Sequence, residues 1–256
     1  MTDFVHPRSI VRRIWGDPDL ILLIFAGSAA EFALNRAVDW LFFTGKIPQD
    51  PIGRLFSTVR YAQEIVFVDE ETAQRTIGRI NASHRGVERD RKQTIPDWAF
   101  RDVLYMLIDY SERAYGLLYR PLSARERDEI FSVFHRIGEG LSIRELPETY
   151  AEWQLDRHRH LARDLSYSPH TALLYRQYRV HLGVWRYNLL LQIQALLVPK
   201  LVRRMLHLNQ NKFIQTLVQT YGIVNAFKLQ SIVHSLLIPP RYWSDVKQFN
   251  RIAALR

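Results

Sequence analysis

The chain has 256 residues, of which 47% are hydrophobic, and this is enough for one large domain with a substantial core. Cysteine is absent, which excludes disulfides, iron–sulfur clusters and thiolate ligands for zinc or haem. The net charge is +9, but the basic residues are spread along the chain, so we interpret them as solvated helix faces and expect no nucleic-acid partner.

The sequence offers no stretch that suits a membrane span. Its longest apolar run, residues 20–30, is shorter than the ~20 residues that a membrane-spanning helix needs. The N-terminus lacks the unbroken apolar segment of a secretory signal. We therefore expect a soluble, cytoplasmic protein.

Helix signals follow one another at short intervals, and no alternating strand pattern of useful length occurs. N-cap residues, first-turn prolines and terminal glycines mark the boundaries. They predict helices over residues 9–15, 18–27, 28–43, 51–67, 69–85, 96–123, 123–137, 147–165, 168–198, a short one after 199, 211–237 and 242–255. We predict an all-α fold, one globular domain of about ten helices around an apolar cavity. Residues 1–206 form this domain, and residues 207–256 are expected to be a helical extension packed on it.

The longest of these helices, over residues 96–123, combines an apolar stripe with a line of charges. Asp102, Asp109 and Arg113 run beside the stripe at helical spacing. The pattern fits either a core helix with a paired charge or the wall of a site. The stripe itself consists of Phe100, Val103, Leu104, Leu107, Ala114, Tyr115 and Leu118.

Standard catalytic signatures are missing: there is no phosphate-binding glycine loop, dinucleotide fingerprint, HExxH motif or serine nucleophile elbow. Asp156, His160 and Asp164 are spaced four apart and share a helix face. This spacing suits a metal site, but on an arginine-rich helix a surface ion-pair ladder is the commoner outcome, and we favour the ladder.

His84 is the histidine with the most suggestive context. It precedes Gly86, which is predicted to end its helix. One interpretation is a cation that interacts favourably with the helix dipole at the C-terminus. The other is an imidazole directed into a pocket, where it ligates iron or transfers protons.

Several stretches in order resemble the rubber-oxygenase (latex-clearing protein) superfamily and its relatives around the mycophenolic-acid-pathway oxygenase. They read WGDPDLILLIFAG, DPIGRLFSTVRYAQEIVFVDEETAQRTIGRINASHRGV, DVLYMLIDYSERAYGLLYRPLSARERDEI, LPETYAEW and LQIQALLVPKLVRRML. The resemblance covers roughly residues 10–206 and implies an all-α fold, b-type haem and oxidative chemistry on apolar substrates.

The resemblance also implies where the site residues stand. The position of the family's proximal histidine falls on Leu104, which cannot ligate iron, and another family histidine has moved by one helical turn to His84. His84 is thus the candidate iron ligand and catalytic imidazole. Arg54 and Arg85 match the family as anchors for a haem propionate or another anion.

Asp109 and Glu31 are the candidate catalytic bases that complete this site. The resemblance then implies an oxidoreductase that acts on an apolar or lipid-like substrate in a buried helical pocket. The alternative is a haem-free member of the fold that binds an apolar ligand without catalysis. For Arg54, a structural pairing with an acid such as Asp109 is the competing interpretation.

Overall fold

The computed structural model describes residues 2–43, 45, 49–224 and 239–244, and it is all-α, as predicted. Two isolated β-bridges occur, and no β-strand forms among these residues. The α-helices of this part are α1 (Ile10–Trp15), α2 (Pro18–Phe32), α3 (Val38–Phe43), α4 (Pro51–Val66), α5 (Glu70–Arg91), α6 (Asp97–Leu118), α7 (Ala124–Gly140), α8 (Tyr150–Arg163), α9 (Pro169–Leu182), α10 (Val184–Leu197), α11 (Lys200–Met205) and α12 (Lys212–Val224).

Most helices begin where a short polar side chain caps them. Asp17, for example, accepts hydrogen bonds from the backbone N–H groups of Asp19 and Leu20 at the start of α2. Ser123 and Glu126 form a full capping box at the start of α7. These contacts satisfy N–H groups that have no partner inside the helix, which is why the predicted starts are largely confirmed.

The predicted helix boundary at Gly27 is wrong. We expected Gly27 to end one helix and Ser28 to begin another, but α2 continues through both to Phe32. Gly27 faces the ring of Tyr110 on α6, and a Cβ atom there would overlap that ring. The glycine therefore allows two helices to approach closely and does not end a helix.

Two further boundaries differ for reasons of backbone conformation. Helix α5 passes through Gly86 and ends at Arg91, where Lys92 caps it with a left-handed φ of 55°. His84 therefore lies inside the helix rather than in its last turn. A helical glycine costs only about 1 kcal/mol, which tertiary packing overrides. In contrast, Gly183 adopts a φ of 75° and divides the predicted helix 168–198 into α9 and α10.

Helix α2 lies at the centre of the domain and packs against α6, α10, α1 and α4. The buried apolar residues form one continuous core, to which each helix from α1 to α11 contributes. No described helix is both long and apolar enough to cross a membrane.

The C-terminal segment is described only in part. Helix α12 packs against α6 and α10. Residues 225–238 and 245–256, which hold the rest of the predicted helix 211–237 and most of the last one, lie outside the described residues. The division at residue 206 stays a prediction.

Candidate functional site

A group of charges, buried at Glu31, Asp109 and Arg157 and partly exposed at Arg113, joins α2, α6 and α8. Both terminal nitrogens of Arg157 donate to the carboxylate of Glu31, each at 2.6 Å. The same guanidinium donates to Oδ2 of Asp109, from the terminal nitrogen at 3.0 Å and from Nε at 3.2 Å. Arg113 donates to the other oxygen of Asp109 at 2.7 Å, and Tyr110 donates to Glu31 at 2.9 Å.

This network holds Asp109 in the ionised form. Burial raises the pKa of Asp109, but the charges of Arg157 and Arg113 outweigh it, and the net shift is downward. Burial and the Glu31 charge raise the pKa of Tyr110, which stays a neutral donor. Carboxylates engaged by guanidinium groups are weak bases. The geometry thus favours a structural role for Asp109 and Glu31 over the predicted role as catalytic bases.

A second polar group lies on the same three elements. Nδ1 of His160 is 2.5 Å from Oδ1 of Asp102 and 2.8 Å from Oδ2 of Asp164. Asn35, just beyond the end of α2, donates to Asp102 at 2.6 Å. His160 and Asp164 are 2% and 3% exposed, so the expected surface ladder is wrong at both residues, which face the interior. Asp156 alone of the predicted trio is partly exposed.

Sequence reasoning missed Arg157 and Asn35. A signal for Arg157 existed, because it shares a helix face with Trp153 and Leu161, both buried. An arginine between two apolar residues on one face is a candidate for a buried cation. Asn35 carries no comparable signal, since its partner Asp102 is 67 residues away.

His84 and Arg54 are brought together at a different place. The ring of His84 lies 4.9 Å from the ring of Phe100. Burial, and then the charge of Arg54, lower the pKa of His84, and Glu88 opposes this shift. His84 is therefore neutral near pH 7.

The two predicted arginine anchors have different surroundings. Arg54 donates to Ser57 at 2.8 Å, and burial lowers the pKa of its guanidinium. Asp109 is bound by Arg113 and Arg157, so Arg54 is not its partner. Arg85 is exposed.

Leu104 lies in the core, 4% exposed. Its side chain and that of Leu146 cover Gly138 of α7, where an added Cβ atom would lie 2.7 Å from Leu104 and 2.8 Å from Leu146. Such a close approach leaves no space between Leu104 and Gly138 of α7 for a flat macrocycle.

An apolar cavity of about 140 Å³ lies between α2, α4, α9 and α10. Tyr178 and Arg186 are the lining residues with polar side-chain groups. None of the predicted site residues lines it. The apolar lining includes Leu22, Phe25, Ala26, Ala29, Phe56, Leu190 and Ile193.

A family model described as the catalytic domain of the ER-bound oxygenase mpaB/B′ and rubber oxygenase matches residues 12–224. The chain belongs to this family. The match spans nearly all of the helices from α1 to α12 and confirms the resemblance read from the sequence. No curated protein and no solved structure matches the chain. At the level of the family, the protein is an oxygenase-type domain.

The mpaB/rubber oxygenase family is known for haem-dependent oxygenases, so the fit of a haem can be tested on this chain. At Leu104, where the resemblance places the family's iron ligand, the side chain has no ligating atom and is packed against Gly138. The cavity of about 140 Å³ is well below the ~300–1,000 Å³ of sites that hold drug-sized ligands, and no histidine lines it. The residues at these two places do not fit a haem.

Proposed function

We propose that the protein is an oxidoreductase of the oxygenase type that takes up an apolar or lipid-like substrate between α2, α4, α9 and α10. The observation that carries this proposal is the apolar cavity among these helices. An engineered apolar cavity of ~150 Å³ holds a benzene-sized molecule, so a cavity of about 140 Å³ suits a ring or part of an alkyl chain.

The polar side chains of the lining suit one end of such a substrate. Arg186 lines the cavity and carries a guanidinium, which pairs with carboxylate head groups. The hydroxyl of Tyr178 donates to the carbonyl of Ala29 at 3.4 Å, and burial raises its pKa, so it stays protonated. An amphipathic substrate would place its chain against α2 and its polar end toward Arg186.

Oxygen uptake in the presence of 1-decene and decanoic acid tests this proposal. Ala26→Phe fills part of the cavity, whereas Ala172→Phe places the same side chain on the exposed face of α9. We expect substrate-dependent uptake in the wild type and in Ala172→Phe, and a loss of about tenfold or more in Ala26→Phe. Equal uptake in all three proteins, or none in the wild type, would contradict the proposal.

The packing of Leu104 favours a second candidate, a haem-free protein that binds an apolar ligand without catalysis. The visible spectrum of protein purified from cells supplied with a haem precursor separates a haem enzyme from both candidates. We expect no Soret band. A band that disappears in His84→Ala would restore His84 as the iron ligand, as the resemblance implied.

A further inference from the structure

Three side chains with metal-binding atoms meet inside the domain, away from the apolar cavity. The ligand atoms of Asp102, His160 and Asp164 all lie within 4.8 Å of one another, and all three residues are buried. Asp102 lies on α6 and His160 on α8. Asp164 is the residue that caps the C-terminal end of α8. The sequence placed two of them on one helix face but gave no reason to include Asp102.

The nitrogen at the centre of this group is not hydrogen-bonded. Nδ1 of His160 lies at 2.5 and 2.8 Å from two carboxylate oxygens, yet it forms no hydrogen bond to any described residue. Both oxygens are therefore close to the nitrogen but away from the axis along which a ring N–H donates. A buried imidazole nitrogen directed between two carboxylates has the arrangement expected of a metal ligand.

The surroundings of the three residues match the outer contacts of metal sites, where ligands are oriented by further hydrogen bonds. Asn35 donates to Oδ2 of Asp102, which leaves Oδ1 toward His160. Arg163 donates to both oxygens of Asp164 at 2.9 Å. On the other side of the ring, Nε2 of His160 lies 3.5 Å from Asp156.

The negative charges of Asp102 and Asp164 also favour a bound cation. Within the described chain, the hydrogen bonds and ion pairs of Asp102 are with the neutral Asn35 amide and with His160. Arg163 pairs with Asp164 and acts on Asp102 only through its charge, so one guanidinium faces two buried carboxylates. Burying a carboxylate without a positive partner is costly. In the neighbouring network Arg157 supplies that charge to Glu31 and Asp109.

We propose that Asp102, His160 and Asp164 bind one divalent transition-metal ion. One imidazole and two carboxylates suit Mn²⁺, Fe²⁺ or Zn²⁺ better than a softer ion. Because the ligands come from both elements, the bound ion ties α6 to the end of α8. None of the three ligands lines the apolar cavity.

Metal titration of the chelator-treated full chain tests the proposal. Calorimetry with Mn²⁺ and with Zn²⁺ is expected to show one ion per chain, and the bound ion to raise the melting temperature. In Asp102→Asn, which keeps the shape of the side chain, we expect binding to weaken more than about 100-fold, beyond the 10–100-fold typical of outer contacts. The exposed neighbour His158 provides the control, and His158→Gln should bind as the wild type does.

Two results would overturn the proposal. One is a wild type that binds neither ion and whose melting temperature chelation leaves unchanged, which would mean that His160 contacts the two acids without an ion between them. The other is binding that survives in both Asp102→Asn and Asp164→Asn, which would place the ion elsewhere. If both variants fail to fold, Asp156→Asn serves instead, with an expected 10–100-fold weaker binding, and undiminished affinity there counts against the site.

Discussion

Arg157 supplies the positive charge that two buried carboxylates share. It is 3% exposed and lies between Glu31, which is 1% exposed, and Asp109. Two guanidinium groups and two carboxylates satisfy one another there once Arg113 is included. Removing one member leaves buried charge without a partner, which costs more than the intact network contributes.

Replacing Arg157 by methionine should therefore destabilise the fold by about 3–5 kcal/mol, because Glu31 and Asp109 lose their shared cation. Urea unfolding at pH 7 measures this difference. Arg159→Met is the matched control on the same helix, since Arg159 is 73% exposed and its change should stay within about 0.5 kcal/mol. Similar losses of stability in Arg157→Met and Arg159→Met would contradict the stabilising role of the buried network.

Glu112 is a carboxyl group that we expect to make the stability of the fold depend on pH. Burial raises its pKa to about 7, and its Oε1 has no hydrogen-bond partner among the described residues. In the unfolded chain a glutamate titrates near ~4.3. Between these two values the folded state holds a proton that the unfolded state has lost, so stability falls as pH rises.

Glu112→Gln should remove this contribution and flatten the decline in stability between about pH 4.5 and 7. Thermal unfolding across this pH range measures it. Asp128→Asn, at an exposed position on α7, should retain the slope of the wild type. An unchanged slope in Glu112→Gln would mean that another group causes the decline.

The contact between α2 and α6 depends on Gly27 and Tyr110. Gly27→Ala forces the Tyr110 ring away, and with it the hydrogen bond from Tyr110 to Glu31. We expect a loss of about 1–3 kcal/mol from this overpacking. Gly116→Ala on α6 meets no atom within 4 Å and should instead stabilise by about 0.5–1 kcal/mol. Denaturant unfolding measures the free energy of unfolding of both variants. If Gly27→Ala stabilised the fold, the close contact between Gly27 and Tyr110 would be contradicted.

Helix α5 shows what local signals can and cannot predict. Its start was predictable because Asp69 caps it through the backbone N–H of Thr72. Its end was not, because a glycine inside a helix and a glycine after one look alike in sequence. The error moved His84 from a helix terminus to a helix interior, so the interpretation as a cation answering the helix dipole is wrong.

For the whole molecule, the sequence predicted the all-α class, most helix starts and the family, since these depend on local residues or on motifs in order. The partners of the charged residues were not predictable in the same way. Asp102 and Asp109 were singled out on their helix, but Asn35 and Arg157 reach them from 67 and 48 residues away. Such pairings depend on how helices pack, which single-helix periodicity does not encode.

The cavity between α2, α4, α9 and α10 is the feature on which both candidate functions depend. Displacement of a bound apolar fluorophore by decanoic acid tests it most directly, in the wild type, Ala26→Phe and Ala172→Phe. We predict that the wild type and Ala172→Phe bind equally and that Ala26→Phe binds about tenfold or more weakly, because the added ring occupies the cavity of about 140 Å³. Equal displacement in all three proteins would place the ligand elsewhere and contradict the account.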